Sequence, residues 1–315
     1  MTRDEAREYL KGVAAIAITP LKEDYSVDLE GLRDNVRFIV DNGIRKGTGT
    51  LTITGASGDS PFLTPEEHKT IWETVVDEVG NEVPIIVGTS ERSIKSTIEL
   101  LKYAEKLGAL CAQVAPPQYC PPLDDEIFRF YKKINDSLEI RVQAYNNYYT
   151  QAGVDISESL IDKLIQLENV VSLKWGKADW NAMMRVIAKH HERFNIILNH
   201  ASLVEGHILG IKGMVSMISN VYPQYDLEIW EALEKHEYQK AVQLAMNLRQ
   251  PIQEFRNKNP AVGGVGIGTM WKVINEICGR PAGPPMFPQG AYTKDQKEQL
   301  RRILIDAGIP SARQT

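Results

Sequence analysis

Three short stretches of this chain end in residues that could do chemistry together. Lys174 closes the run Val170-Val171-Ser172-Leu173-Lys174, ahead of Trp175-Gly176. Lysine is rarely buried, and burying its ammonium is costly. At the end of an apolar strand it is either a rim residue that snorkels to water, or an amine whose pKa falls from ~10.4 by desolvation and which can attack a carbonyl. Tyr145 ends Arg141–Tyr145, ahead of Asn146-Asn147-Tyr148-Tyr149. Its ring is either a core cap with a wet hydroxyl or a proton-transfer group. The third stretch is Thr54-Gly55-Ala56-Ser57-Gly58-Asp59. Two glycines bracket a small residue and a hydroxyl. Such a turn is either a plain connection or a cradle of backbone N–H groups and the Ser57 hydroxyl for an anion such as a carboxylate.

These groups need strands to carry them. Eight β-branched runs recur over the first 220 residues: Val13–Ile18, Thr50–Thr54, Pro84–Val87, Cys111–Ala115, Arg141–Tyr145, Val170–Lys174, Asn195–Leu198 and Gly213–Met217. Each is short and apolar enough for a strand buried on both faces. Amphipathic stretches lie between most of them: Leu29–Asn42, Thr64–Val79, Ser93–Leu107, Ser157–Gln166 and Asn181–His191. Thr64-Pro65-Glu66-Glu67 is a helix start, with a hydroxyl cap, proline in the first turn and acids facing the dipole. Strand–helix alternation implies right-handed βαβ units and a parallel sheet. Eight units in about 220 residues is the count of a (β/α)8 TIM barrel, whose reactive groups sit at the C-terminal strand ends. A doubly wound open sheet is the alternative. It calls for a Gly-rich phosphate turn after the first strand, and Ile18 is instead followed by Thr19-Pro20-Leu21-Lys22.

After Pro223 the periodicity is helical over Asp226–Ala245, Met270–Cys278 and Lys294–Ala307, with loops at Asn257–Gly268 and Gly279–Gln289. This divides the chain into a catalytic barrel over residues 1–223 and a C-terminal helical appendage over 224–315. The Gly263–Gly268 run resembles a nucleotide loop but follows no predicted strand, so it reads as a connector.

Composition narrows the function classes. The 315 residues are 43% hydrophobic and 24% charged, ordinary globular usage. Thirty-six basic against 41 acidic residues give a net charge of -5, with none of the basic excess of a nucleic-acid binder. No apolar run approaches the ~18 residues of a membrane span, and the charged start MTRDEAREYL has no signal-peptide core. Cys111, Cys120 and Cys278 make no metal spacing and leave an odd count, as expected of reduced thiols in a cytoplasmic protein. His68, His190, His191, His207 and His236 fall on predicted helices as solvated or packing residues. His200 falls at the barrel mouth.

Taken in order, these residues resemble the dihydrodipicolinate synthase / N-acetylneuraminate lyase family, Schiff-base class I aldolases and dehydratases on a (β/α)8 barrel. The resemblance runs over nearly the whole chain. It begins at Gly12-Val13 and Thr19-Pro20 and passes through Gly55-Ala56-Ser57-Gly58-Asp59, similar to the family's Gly-Thr/Ser-Thr-Gly-Glu turn. Leu63–Glu67, Pro84–Thr89 and Pro116-Pro117-Gln118-Tyr119 follow. Tyr145-Asn146 is similar to the exposed Tyr-Asn pair of the fifth strand, and Lys174 to the Schiff-base lysine. Gly210–Gly213 and Asn220–Pro223 are similar to the eighth-strand signature.

The resemblance implies roles. Lys174 would form an imine with pyruvate or another 2-oxo acid. Tyr145 would shuttle protons. Ser57 would relay protons and, with Gly55 and Ala56, hold the substrate carboxylate. Tyr119 would be the relay tyrosine sent across a tight dimer interface. Asn146, Trp175, Asn199, His200 and Met217 would line the substrate. The partners implied are a 2-oxo acid, an aldehyde, and a second copy of the chain in a homodimer or homotetramer. The imine replaces a metal, so no cofactor is expected. Thr150 stands where dihydrodipicolinate-forming members carry an arginine, Trp175-Gly176-Lys177 where synthases show Glu-Ala, and Asn199-His200-Ala201 where Gly-x-Asp is usual. These departures, with Tyr148, Tyr149 and Trp175, argue for a less anionic distal group and against the lysine-pathway substrate. A dehydratase, hydratase or deaminase acting on a keto-deoxy sugar acid or related acid by the same imine chemistry is the alternative reading. A non-catalytic descendant that binds small acids is the third.

Overall fold

Eight strands form where the sequence alternation places them: β1 (Gly12–Ile16), β2 (Gly49–Ile53), β3 (Ile85–Thr89), β4 (Cys111–Val114), β5 (Arg141–Asn146), β6 (Val170–Trp175), β7 (Asn195–Leu198) and β8 (Gly213–Ser216). They pair in parallel and in sequence order, and β1 closes onto β8. The computed structural model describes residues 1–90, 93–117, 122–146, 154–176, 179–199, 202–259 and 267–313. The expected (β/α)8 barrel is therefore present, and the open sheet is not.

A short helix α1 (Arg3–Tyr9) precedes the barrel. The ring around it is α2 (Leu29–Asp41), α3 (Pro65–Val79), α4 (Ile94–Leu107), α5 (Asp124–Asn135), α6 (Glu158–Leu164), α7 (Trp180–His190), α8 (Leu203–Leu209) and α9 (Pro223–Glu234). The caps follow the chemistry of the sequence. Thr64 accepts from the Glu67 N–H while the Glu67 side chain accepts from the Thr64 N–H, with Pro65 in the first turn. Asp28, Ser93, Ser157 and Asp179 cap α2, α4, α6 and α7, each side chain accepting one N–H of the first turn.

Three long helices follow: α10 (Tyr238–Lys258), α11 (Ile267–Ile277) and α12 (Lys294–Asp306). The expected single helix over Asp226–Ala245 is instead two, because α9 stops at Lys235-His236-Glu237, with His236 at a φ of 59°. Helix α9 packs on β1 and β8. The barrel's own eighth helix thus lies beyond the expected division at residue 223. The loop expected over Asn257–Gly268 is helical at both ends, since α10 runs to Lys258 and α11 starts at Ile267. Pro251 sits inside α10 without ending it. Proline removes one N–H, and the buried Leu248, Ile252 and Phe255 hold the helix against its neighbours on both sides of it.

The main core fills the space between sheet and helices, from Val13, Ala15 and Leu51 to Leu173, Trp175 and Leu198. Smaller clusters fill the barrel: Leu10, Ile86, Cys111 and Val171 in one, and Ala14, Ile16, Ile197 and Val215 in the other. Among the described residues no helix is long and apolar enough to cross a membrane.

Candidate active site

The direction of Lys174 is set by one extra residue. Val142 pairs with Val170, but Gln143 pairs with Ser172, which leaves Val171 as a bulge in β6. Val171 faces the barrel cluster and Leu173 and Trp175 the outer core. Simple alternation from Val171 would have turned Leu173 inward. The bulge resets the phase, so Ser172 and Lys174 share the interior face. Ser172 fixes this setting: its hydroxyl accepts from Gln143 Nε2 at 3.0 Å and donates to the Asn195 carbonyl at 2.8 Å.

Lys174 is 2% exposed and Tyr145 5%. The two are register partners on neighbouring strands, so their side chains leave the same face. The Lys174 Nζ lies 4.4 Å from the centre of the Tyr145 ring. Burial pushes the Lys174 pKa down to about 7. An amine with that value is substantially unprotonated at neutral pH, the form a nucleophile needs.

The Gly55–Asp59 turn leaves β2 through two left-handed residues, Thr54 (φ 49°) and Asp59 (φ 62°). A β-branched residue with positive φ is strained by ~1–3 kcal/mol and must be held in place. The Thr54 hydroxyl donates to the Gly88 carbonyl and accepts from the buried Trp72 indole, both at 2.8 Å. Gly88 permits this close approach, since a Cβ there would stand 2.3 Å from the Thr54 oxygen. The turn itself is closed by the Gly58 N–H to the Gly55 carbonyl at 2.9 Å, and Thr19 Oγ1 donates to the Gly58 carbonyl at 2.7 Å. The Ala56 and Ser57 N–H groups start this 3-10 turn and are not consumed by it.

Beyond the turn, Ser60 Oγ meets His68 Nε2 at 3.1 Å, and His68 Nδ1 meets the Thr64 carbonyl at 3.0 Å. A carbonyl only accepts, so in the neutral ring Nδ1 carries the proton and the Ser60 hydroxyl donates to Nε2. Asp59 pairs with Lys272 of α11, Oδ2 to Nζ, at 2.7 Å, with both side chains buried.

Of the residues expected at the site, Lys174, Tyr145, Gly55, Ala56 and Ser57 lie at three C-terminal strand ends of one barrel. Met217 is half-buried against Ala14, Ile16, Ile197 and Val215, at the end of β8. Asn199 is exposed after β7, its N–H bonded to the Trp175 carbonyl at 2.9 Å. Two residues are turned away. Trp175 is 1% exposed and packs in the outer core, facing away from the barrel interior. Asn146 is spent on the following loop. Its Nδ2 donates to Asp155 Oδ1 at 3.0 Å and to the Ile156 carbonyl at 3.2 Å, while its Oδ1 accepts from the Ile156 N–H at 3.2 Å. The alternation that points Tyr145 and Lys174 inward points their successors outward. Tyr119, Cys120, Tyr148, Tyr149, Thr150 and His200 lie outside the described residues.

Sequence reasoning missed the Asp59–Lys272 pair and the interior amides Gln113 and Gln143. A signal for Lys272 was present: it is the only charge in Ile267–Asn275. His68, expected as a solvated or packing residue, is buried and hydrogen-bonded. Among the described residues no group of three or more His, Cys, Asp and Glu is placed to hold a metal ion.

The sequence profile of the dihydrodipicolinate synthetase family matches residues 9–307. A 4-hydroxy-tetrahydrodipicolinate synthase from Bradyrhizobium diazoefficiens is 30% identical over 307 residues, 96% of this chain and 99% of that protein. The synthase of the same name from Methanothrix thermoacetophila is 28% identical over 297 residues, 93% of this chain and 96% of that one. The fold superposes on dihydrodipicolinate synthase DapA-2 from Bacillus anthracis with a TM-score of 0.84 and 25% identity, over 96% of this chain and 99% of that one. The dihydrodipicolinate synthase from Acinetobacter baumannii complexed with pyruvate gives the same TM-score and identity and the same shares of both chains.

Proposed function

Because the chain belongs to the dihydrodipicolinate synthetase family of Schiff-base-forming lyases, we propose that it makes or breaks a carbon–carbon bond between pyruvate, or a related 2-oxo acid, and an aldehyde through an imine on Lys174. The observation that carries this reading is a buried lysine with its pKa lowered to about 7 beside a tyrosine ring. In the synthetic direction the neutral amine attacks the ketone carbon, and water leaves to give the protonated imine. The positive nitrogen draws electrons from the adjacent carbon, which loses a proton to form the enamine. The enamine carbon attacks the aldehyde carbonyl, the resulting alkoxide takes a proton, and hydrolysis returns Lys174 and the product. Tyr145 is the proton shuttle: its phenol, ordinarily near pKa ~10, gives and takes protons at carbinolamine and alkoxide oxygens. The Ala56 and Ser57 N–H groups and the Ser57 hydroxyl receive the substrate carboxylate. Tyr119 is the relay residue by resemblance, and a homodimer or homotetramer accompanies that role. No metal or organic cofactor takes part, because the protonated imine is the electron sink.

For the second substrate we infer an aldehyde other than the carboxylate-bearing semialdehyde of the lysine pathway. Thr150 replaces the arginine that pairs with that carboxylate in the resemblance, and a hydroxyl cannot replace a bidentate guanidinium. The test is pyruvate consumption across a panel of aliphatic, aromatic and carboxylated aldehydes, with keto-deoxy sugar acids run alongside. Faster turnover with an uncharged aldehyde than with aspartate semialdehyde is expected. The opposite order overturns the substrate assignment. Turnover of the keto-deoxy acids alone would make the enzyme a dehydratase using the same imine.

A further inference from the structure

The Gly55–Asp59 turn is gripped from a part of the chain far away in sequence. Helix α11 docks directly on it. A Cβ built on Gly268, in the helix's first turn, would stand 2.7 Å from Asp59 Oδ1 and 3.3 Å from the Ser57 carbonyl oxygen. A side chain there would press on the buried Asp59 carboxylate, so a glycine suits this close approach of the helix backbone. Four residues on, the same helix face carries Lys272. Its Nζ lies 2.7 Å from Asp59 Oδ2 and 3.1 Å from the Pro284 carbonyl. The lysine is 2% exposed and the aspartate 1%.

Such a pair is a poor source of stability. Taking both charges from water costs about as much as their attraction returns, and an apolar pair of similar volume would do as well or better. Burial pushes the Asp59 carboxyl up and the Lys272 ammonium down, while each partner's charge opposes the shift. What the pair supplies is direction. Asp59 is a left-handed residue that ends the turn, and its side chain is held at one point by a cation on a rigid helix. The turn's other supports, Thr19 and Thr54, bind its backbone and its start. Among the described residues, Lys272 is the cation that binds its last side chain.

We propose that Asp59 and Lys272 are a positioning pair. From α11 they fix the Gly55–Asp59 turn so that it receives the carboxylate of the 2-oxo acid, and they set the affinity for that acid without touching the reacting atoms. This rests on the reading of the turn as the carboxylate site. It extends that site into the helical segment beyond the barrel.

The experiment uses the full chain, pyruvate and borohydride, and reads the trapped adduct by mass against pyruvate concentration. Lys272→Met leaves Asp59 without its cation. The double variant Asp59→Asn with Lys272→Met removes both charges, so no unpaired charge is left to unfold the protein. Folding is checked by circular dichroism and a thermal melt. The expected result for both is a rise of about fivefold or more in half-saturating pyruvate, with the trapping rate at saturation within about twofold of the parent. Half-saturation at the parent value in the folded double variant overturns the proposal, because the pair is then only packing. A fall in the saturated rate with unchanged half-saturation also overturns it, because the pair then acts in the chemistry. If the parent traps no pyruvate, the titration is run with the 2-oxo acid it does trap. A parent that traps none of a panel of 2-oxo acids refutes the 2-oxo-acid reading itself, a failure visible before any variant is compared.

Discussion

Replacing Lys174 by methionine should make the protein more stable, by an amount that shrinks as the pH rises. The parent buries an amine whose pKa falls from 10.5 to about 7. A lysine depressed in the folded state binds fewer protons there than in the unfolded chain between those two values. Folding is therefore penalised fully below about pH 7, and the penalty fades as the pH rises toward 10.5. Linkage puts its size at about 4 kcal/mol at pH 7.5 and under about 0.5 kcal/mol at pH 10.5. The Tyr145 ring face, 4.4 Å from the nitrogen, returns ~1 kcal/mol to whatever fraction remains charged. Methionine fills nearly the same volume and carries no charge. With roughly a quarter of the folded-state lysine charged at pH 7.5, the ring takes back only a few tenths of a kcal/mol, so the variant should gain about 3.5 kcal/mol at pH 7.5 and almost nothing at pH 10.5. Urea unfolding followed by tryptophan fluorescence at both pH values measures this. A variant less stable than the parent at pH 7.5, or a difference that does not shrink with pH, would refute a buried amine with a lowered pKa at this position.

Further outcomes test the frame around that amine. Asn146→Ala removes three hydrogen bonds to residues 155–156. It should cost about 2–4 kcal/mol and speed hydrogen exchange at the Ile156 amide, with no change if Asn146 served substrate alone. Gly88→Ala places a methyl 2.3 Å from the Thr54 oxygen; a loss of about 3 kcal/mol is expected, and an unchanged melting temperature contradicts the close β2–β3 approach. Cys111 is fully buried and burial pushes its thiol pKa up. Aromatic disulfide reagents should leave it unmodified until the protein unfolds, and rapid native labelling would contradict its place inside the barrel.

The barrel was legible because a strand buried on both faces leaves a plain mark, a short β-branched run between helix caps. Lys174 and Tyr145 were legible because a costly residue at the end of such a run needs a reason. Asn146 and Trp175 were misjudged because adjacency in sequence does not survive the pleat, which sends neighbours to opposite faces. Even the inward direction of Lys174 depends on the bulge at Val171, and nothing in Val170-Val171-Ser172 marks which residue is extra. The helical segment was hardest. The break at His236 has no glycine or proline, Pro251 would suggest a stop that packing overrides, and Lys272, though the only charge in Ile267–Asn275, has no visible partner until its distance to Asp59 is known. The pair spans more than two hundred residues, beyond the reach of periodicity.

The central claim is that Lys174 forms the imine. Incubating the protein with pyruvate and borohydride, then mapping the adduct by peptide mass spectrometry across pH, tests it directly. The predicted result is a single reduced adduct on Lys174, whose rate of formation rises through about pH 7 as the amine loses its proton, and no adduct in Lys174→Met. Full labelling of the methionine variant, or an adduct on any other lysine in the parent, would contradict it.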